Sequence, residues 1–283
     1  MHIIDTVPDF LAKNVHSLMT LKDYHRTYPD AFKEYFSYHC PSTEERFKQA
    51  LQRYLNVLPH IKTVHQQLPS ILETINTRYK ERYELSFKQH IYFIVGAYSS
   101  NAFTHRQITP DITFALEQLP QHHDGLRVLA AHEFGHALHQ TWTDTAGMDW
   151  SHVQWDNHLL SLYREGVATH FSREIVPDAP PHIYFTFGSE YLGNESWLAF
   201  AQENEQTLKS AFYMDYQQLS PQEVFREWFS INGGKRFNYT RLAYFLADRF
   251  FQQKRKKTGE REAILAWRDP FFLKEIEKWL RDG

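Results

Sequence analysis

One stretch of the sequence, from Leu126 to Leu138, is too apolar to form a surface helix, yet it carries two histidines and a glutamate. A helix that is apolar on most of its sides has to lie in the protein interior. Burying His132, Glu133 and His136 there is costly unless these side chains pair with one another or bind a metal ion. Any fold of this chain therefore has to cover this helix and satisfy its polar groups.

The spacing of these three polar residues suits a hydrolytic zinc site. Side chains four residues apart lie above one another on one helix face, so His132 and His136 can hold the same ion. Glu133 lies beside the first histidine and can reach a water on that ion without binding the ion. Zinc lowers the pKa of such a water, and a carboxylate takes the proton as the water attacks a carbonyl carbon. A glycine inside a helix costs up to about 1 kcal/mol relative to alanine, so Gly135 predicts the close approach of another backbone.

A zinc ion held by two histidines needs a third protein ligand and an open position for water. Glu165 follows the second histidine at a distance that allows one loop and a return along an antiparallel helix. Its neighbours Gly166 and Ala168 are small, which predicts that this second helix packs closely against the first. The alternative carboxylates lie between the two helices, at Asp149 and Asp156.

The segment H-E-F-G-H followed by Y-R-E-G-V-A resembles the paired H-E-x-x-H and W-x-x-E-G-x-A motifs of gluzincin metallopeptidases. The spacing is also similar to that of small bacterial families of predicted zinc-dependent proteases. The resemblance covers residues 126–173. It implies a zincin-like fold with the active-site helix at the floor of a cleft, and one zinc ion on His132, His136 and Glu165. It further implies that Glu133 acts as general base and then as general acid in peptide hydrolysis.

The resemblance implies three more features of the site. A strand at the cleft edge would bind an extended peptide by backbone pairing, and residues 96–103 or 112–116 are the candidates. Many gluzincins orient the first histidine with an acidic residue where this chain has Thr169, so the groups around the ligands must differ here. A Tyr, His or Arg from the C-terminal part would stabilise the oxyanion of the tetrahedral intermediate. Tyr239 is the first candidate for this role and Tyr244 the second.

The rest of the chain predicts a mostly α-helical protein with a small β-sheet, in a single peptidase domain over residues 1–283. We expect an N-terminal part, 1–143, with helices, the sheet and the active-site helix, and a helical C-terminal part, 144–283, with the third ligand. No repeat, low-complexity segment or flexible linker interrupts the sequence. Runs of β-branched and aromatic residues predict strands within 90–98 and 111–116.

Capping residues mark where several helices begin. Ser42 with Glu45, and Ser220 with Glu223, have the S-x-x-E spacing of a capping box, and Pro221 suits the first turn of the second helix. Further helices are predicted over residues 126–141, 157–173 and 239–256.

Composition limits the compartment and the partners. The single cysteine, Cys40, cannot form an intramolecular disulfide, so we expect packing alone to stabilise the fold. The chain shows neither a secretory signal nor a run of apolar residues long enough to span a membrane, which favours a cytoplasmic protein. A formal net charge of −3 gives no reason to expect a nucleic-acid or membrane partner. The expected partner is a peptide or protein substrate, and the oligomeric state stays open.

Other readings of the same residues remain open. The chain could be a zinc hydrolase of a non-peptide amide or ester, a non-catalytic protein stabilised by zinc, or a helical protein without metal. His139 lies too far along the helix from His132 to share an ion with it, so we expect a packing role for it. His170 is also expected to cap or pack. An aromatic stretch lies after the predicted helix 157–173. Its residues could line a specificity pocket or belong to the core: Tyr184, Phe185, Phe187 and Tyr191.

Overall fold

The computed structural model describes residues 1–13, 15–187, 194–231 and 233–282. Two units divide the chain, Met1–Gln121 and His122–Gly283. The division falls before the predicted active-site helix and not after residue 143, so this helix belongs to the same unit as the third-ligand helix. The single peptidase domain over 1–283 stays a prediction. A mostly helical protein with a small sheet is confirmed.

The first unit is built around one long helix. Helices α1 to α4 span Val7–Ala12, Leu18–Thr27, Pro29–Glu34 and Glu44–Tyr83, with a π-helical turn at Tyr35–His39. Helix α4 buries apolar residues at helical spacing along one face, from Phe47 to Tyr79. The predicted cap is one residue early: the N-cap of α4 is Thr43, whose hydroxyl accepts a hydrogen bond from the Arg46 amide, and not Ser42 with Glu45.

A four-stranded mixed sheet completes the first unit. Its strands are β1 (His2–Asp5), β2 (His90–Ile94), β3 (Ala102–Thr104) and β4 (Ile112–Ala115), and their spatial order is β1-β2-β4-β3. The pairs β1–β2 and β2–β4 are parallel, with Ile3 opposite Ile91 and Ile91 opposite Ile112, whereas β3 and β4 are antiparallel. A 3₁₀ turn, Leu116–Gln118, follows the last strand.

The sheet confirms two predicted strands and corrects two expectations. Strands were expected within 90–98 and 111–116, and both are present, although β2 ends at Ile94. Strand β1 was not predicted. Strand β4 pairs with a neighbour on each side, so residues 112–116 have no free edge for a peptide. Of the two candidate segments, only 96–103 overlaps an edge strand, β3.

In the residues of the second unit that the structure describes, all regular elements are helical. Helices α5 to α10 span His123–Thr145, His158–Ile175, Ile183–Thr186, Glu195–Glu203, Glu205–Gln218 and Pro221–Trp228. Helices α11 to α13 span Leu242–Thr258, Glu260–Ile264 and Phe272–Arg281, and 3₁₀ turns lie at Trp150–His152 and Ala266–Arg268. The three predicted helices are confirmed as α5, α6 and α11, with ends shifted by up to a turn.

Local capping chemistry explains two of these starts. The predicted capping box of α10 is present, with the Ser220 hydroxyl accepting from the Glu223 amide and the Glu223 carboxylate accepting from the Ser220 amide. Asn157 caps α6 by accepting a hydrogen bond from the Leu159 amide at 2.9 Å. Both starts therefore follow from residue types that supply the acceptors a helix N-terminus lacks.

Helix α6 is the centre of the second unit because it packs against both α5 and α11. Gly166 was expected to let α6 approach α5, but its open face is turned to α11. A Cβ atom at Gly166 would lie 2.4 Å from the Ala247 carbonyl oxygen and 3.0 Å from the Phe251 Cβ. The glycine therefore brings α11 close to α6, which the sequence did not predict.

Two compositional expectations have structural counterparts. Cys40 is a buried free thiol, as a small packing residue would be. Across the described parts of the chain, none of the helices combines the length and the apolar character that crossing a bilayer requires.

Candidate metal centre

Helix α5 buries the three residues of the H-E-x-x-H motif. His132, Glu133 and His136 are 2, 7 and 8% exposed, and apolar neighbours surround them on the helix. The imidazole rings of His132 and His136 meet edge to face, with their centroids 4.8 Å apart. One turn of helix thus holds two imidazoles side by side in a nearly dry environment.

Helix α6 brings the carboxylate of Glu165 to these imidazoles. One oxygen, Oε2, lies 3.0 Å from Nε2 of His132 and 3.5 Å from Nε2 of His136. Among the described residues, these three side chains form one of two groups whose donor atoms all lie within 4.8 Å of one another. The side chain of Glu165 keeps 18% of its exposure, so the group is open to solvent on that side.

The donor set fits a zinc ion. Two histidine nitrogens and one carboxylate oxygen are the ligands of a known class of catalytic zinc site, which keeps a fourth position for water. Donor atoms on a tetrahedral zinc ion, each about 2.0–2.1 Å from it, lie roughly 3.3 Å apart. The separations of 3.0 and 3.5 Å bracket this value. The three residues can therefore close around an ion with little movement.

The protonation states also suit metal binding. Burial lowers the pKa of His132 to about 4, although the hydrogen bond with Glu165 opposes this shift. Burial raises the pKa of Glu165, but its interactions with His136 and His132 outweigh burial and hold the pKa well below the usual range. Near neutral pH, His132 is therefore neutral and Glu165 is ionised. Both are the forms that bind a metal ion, because a ligand must offer a free electron pair.

Thr169 led us to expect that no carboxylate at this position orients the first histidine, as an acidic residue does in many gluzincins. Nδ1 of His132 and Nδ1 of His136 are buried and have no hydrogen-bond partner within the described residues. The Thr169 hydroxyl, four residues after Glu165 on α6, is fully buried and likewise unpartnered there. Zinc-binding histidines usually donate the second ring N–H to an acceptor. Among the described residues, packing rather than such an acceptor orients the two rings.

Of the two candidate tyrosines, Tyr244 is the one that contacts the motif. Its ring centroid lies 6.1 Å from that of His132. Burial raises the pKa of Tyr244 while neighbouring Arg241 opposes the shift, so the hydroxyl keeps its proton and can donate a hydrogen bond. Tyr239 lies before α11, and its ring packs against Phe200 at 4.7 Å. No described contact joins Tyr239 to the three donor residues.

Two further residues lie at this site: Arg241, which sequence reasoning missed, and Phe187, which it named only as a pocket or core residue. Arg241 precedes α11, is 4% exposed, and places its guanidinium carbon 3.8 Å from the ring centroid of Tyr244. Phe187 lies 5.4 Å from the ring of His132. The sequence signal for Arg241 was its position three residues before Tyr244. Residues three apart at the start of a helix lie on one face. The rest of the aromatic stretch after Phe187, including Tyr191, lies outside the described residues up to residue 193.

The other histidines and carboxylates have separate roles. His139 shares a hydrogen bond of 2.9 Å with the Ile264 carbonyl and stacks on Trp267, which confirms its packing role. Asp149 caps the turn at Trp150–His152 through the Ser151 amide and is not part of a described metal-binding group. Asp156, the other rival carboxylate, is exposed and likewise absent from the described groups.

The second group of possible ligands is His170, Glu174 and Glu260. His170 pairs with Glu260 at 2.8 Å, and the guanidinium of Arg255 lies 3.4 Å from Glu174. An arginine at a ligand carboxylate competes with a cation for the same oxygen. This group is therefore better explained as an ion-pair network between α6, α11 and α12 than as a metal site.

Comparison with known proteins adds no assignment to this geometry. No protein-family model, no curated protein and no solved structure matches the chain.

Proposed function

We propose that this chain is a zinc-dependent peptidase with a zincin-like arrangement, in which His132, His136 and Glu165 hold one zinc ion. The observation that carries the proposal is the approach of Glu165 Oε2 to 3.0 and 3.5 Å of the two imidazole nitrogens. A second support is the position of Glu133, which follows the first ligand on the same buried helix. A purely structural zinc site needs no carboxylate beside its ligands.

Each residue then has a definite task. When bound, zinc supplies Lewis acidity that polarises the scissile carbonyl and lowers the pKa of a water molecule. The Glu133 carboxylate takes a proton from the water as the water oxygen attacks the carbonyl carbon. The same carboxyl group then donates this proton to the leaving nitrogen, so the C–N bond breaks and the amine departs neutral. The side chain of Glu165 is 18% exposed, so water can reach this ligand.

Tyr244 is the residue placed to stabilise the developing negative charge. Its protonated hydroxyl belongs to a ring that packs beside His132, on the side of the site formed by α11. A hydrogen bond donated by this hydroxyl to the carbonyl oxygen strengthens as charge accumulates on that oxygen. The bond therefore lowers the barrier more than it stabilises bound substrate.

A mixture of N-acetylated peptides tests the proposed reaction. We expect the zinc-loaded protein to cleave members of the mixture, with products identified by mass spectrometry. A zinc chelator should abolish cleavage, and stoichiometric zinc should restore it. A zinc-loaded, folded protein that cleaves no peptide in a diverse mixture would contradict the proposal.

Substitution of the two tyrosines separates their roles. We expect Tyr244→Phe to lower kcat about 10²- to 10³-fold with little change in KM, since one oxyanion donor typically contributes this much. Tyr239→Phe should retain kcat within a few-fold, because the Tyr239 ring packs on Phe200 away from the motif. Steady-state kinetics on one cleaved peptide would measure both values. A larger loss of kcat in Tyr239→Phe than in Tyr244→Phe would assign the stabilisation of the oxyanion to Tyr239.

A further inference from the structure

Arg241 is a buried cation in a strained backbone conformation beside the metal centre. The residue is 4% exposed, and its φ of +60° lies in the left-handed region, which costs a non-glycine residue about 1–2 kcal/mol. Strain of this kind persists only where the surrounding structure holds the residue in place, and it concentrates at functional sites. The position of the Arg241 side chain is therefore a specific feature of the site.

Two aromatic rings hold the guanidinium one ring away from a proposed zinc ligand. The guanidinium carbon of Arg241 lies 3.8 Å from the Tyr244 ring centroid and 4.5 Å from that of Phe187. These rings in turn lie 6.1 and 5.4 Å from the ring of His132. Arg241 thus lies one aromatic ring away from His132, at the start of α11.

The charge of Arg241 has no acidic partner in the described chain. Two other partly buried arginines of this unit pair with carboxylates, Arg173 with Asp248 at 3.0 Å and Arg127 with Asp178 at 2.7 Å. Within residues 1–187, except 14, and 194–282, except 232, no carboxylate forms an ion pair with Arg241. The aromatic rings offset part of the desolvation cost. A guanidinium buried without a counter-ion still favours the arrival of an anion.

We infer that Arg241 binds the C-terminal carboxylate of the substrate, so that the enzyme removes residues from the C terminus of peptides. This inference rests on the proposed peptidase function. A guanidinium is always charged and matches a carboxylate with two parallel hydrogen bonds. An anchor for a free N-terminal amine would have to be negative, whereas this anchor is positive.

Within the inference, the short path from Arg241 to the zinc ligands favours release of the last residue. The carboxylate of the residue after the scissile bond lies about one residue spacing, roughly 3.8 Å, from the attacked carbonyl. An anchor separated from the zinc ligands by a single ring suits a substrate with one residue beyond that bond. Hydrolysis adds the water hydroxyl to the carbonyl carbon and the proton to the leaving amine. The products are a peptide shortened by one residue and a free amino acid.

The first experiment changes only the substrate. Wild-type, zinc-loaded protein is given N-acetylated peptides of identical sequence, one set with a free C-terminal carboxylate and one set with a C-terminal amide. We expect release of the last residue from the free acids, with kcat/KM about 10- to 100-fold above that for the amides, as one charge-assisted paired contact provides. Equal cleavage of acids and amides, or cleavage at internal bonds of both, would overturn the inference while leaving the proposed peptidase intact.

The second experiment measures binding without turnover. In a Glu133→Gln background, calorimetry compares the acid and amide forms of one peptide with and without Arg241→Gln. We expect Arg241→Gln to weaken binding of the acid about 10- to 100-fold and to leave the amide unchanged, while Arg241→Lys keeps part of the preference. The control is Arg249→Gln, which removes an exposed guanidinium from the same helix, α11, and should leave both affinities unchanged.

The binding arm separates failure of this inference from failure of the proposed function. If the zinc-loaded protein cleaves neither peptide but binds the acid in preference to the amide through Arg241, the peptidase proposal fails and the carboxylate site stands. If Arg241→Gln weakens acid and amide equally, Arg241 acts on packing or on the reacting carbonyl, and the inference is wrong. Thermal unfolding of each variant shows whether it is folded, and the acid–amide comparison on wild type needs no variant.

Discussion

The Glu133→Gln variant is expected to bind zinc as the wild type does and to lose about 10³- to 10⁴-fold in kcat/KM. Glutamine keeps the shape of the side chain, so the helix and its two histidines stay in place, but an amide cannot take a proton from water. General acid–base catalysis by one positioned group typically contributes about 10²- to 10⁴-fold, and here the same group acts in both steps. Steady-state kinetics on a cleaved peptide, together with elemental analysis of the same preparation, measures both quantities.

The matched control for this variant is Glu203→Gln, which removes the same charge at an exposed position on α8. Its kcat/KM should equal that of the wild type within a factor of about two. A Glu133→Gln protein that kept more than a tenth of the wild-type activity would show that another group moves the proton. Loss of zinc from this variant would instead show that Glu133 holds the metal site together.

The second large effect that we expect is a loss of stability in the Gly166→Ala variant. The added Cβ atom would lie 2.4 Å from the Ala247 carbonyl oxygen, a backbone atom that cannot move without displacing α11. Alanine gains about 1 kcal/mol in helix propensity, but overpacking against backbone costs more. We expect the free energy of unfolding to fall by about 2 kcal/mol, the upper end of the overpacking cost less the gain in propensity. Because Arg241 and Tyr244 move with α11, kcat/KM should fall as well.

Gly147→Asn is the control for the glycine substitution. Gly147 has a φ of +79° and open space around it, and asparagine tolerates the left-handed region better than most residues. Its free energy of unfolding, measured by chemical denaturation beside the wild type, should stay within about 1 kcal/mol. If Gly166→Ala unfolds at the same denaturant concentration as the wild type, the tight approach of α6 and α11 is not required for the fold.

The parts of the site that lie close together in sequence were predictable. The four-residue spacing of His132 and His136 fixes their common helix face, whatever the rest of the fold does. The apolar flanks of the motif predicted burial, and the histidines are indeed buried. Glu165 could be proposed because a hydrolytic site needs a third ligand and because a second helix with small residues follows. The capping box at Ser220 was equally local and is confirmed.

What the sequence left open depends on contacts between distant segments. Gly166 indicated a close helix contact, but only tertiary packing shows that the contact is with Ala247 and not with α5. The sequence ranked Tyr239 before Tyr244, but the start of α11 at Leu242 and the direction of each ring are set by neighbouring helices. Strand β1 was missed because four residues carry too short a pattern to distinguish a strand from a helix.

Metal content is the most direct test of the central claim, that His132, His136 and Glu165 form a zinc site. Elemental analysis of the purified wild type is compared with Glu165→Ala and with Glu260→Gln, which alters the second group of possible ligands. We expect about one zinc per wild-type chain, marked loss in Glu165→Ala and full retention in Glu260→Gln. A wild-type protein without stoichiometric metal, or metal that leaves with Glu260→Gln but stays in Glu165→Ala, would contradict it.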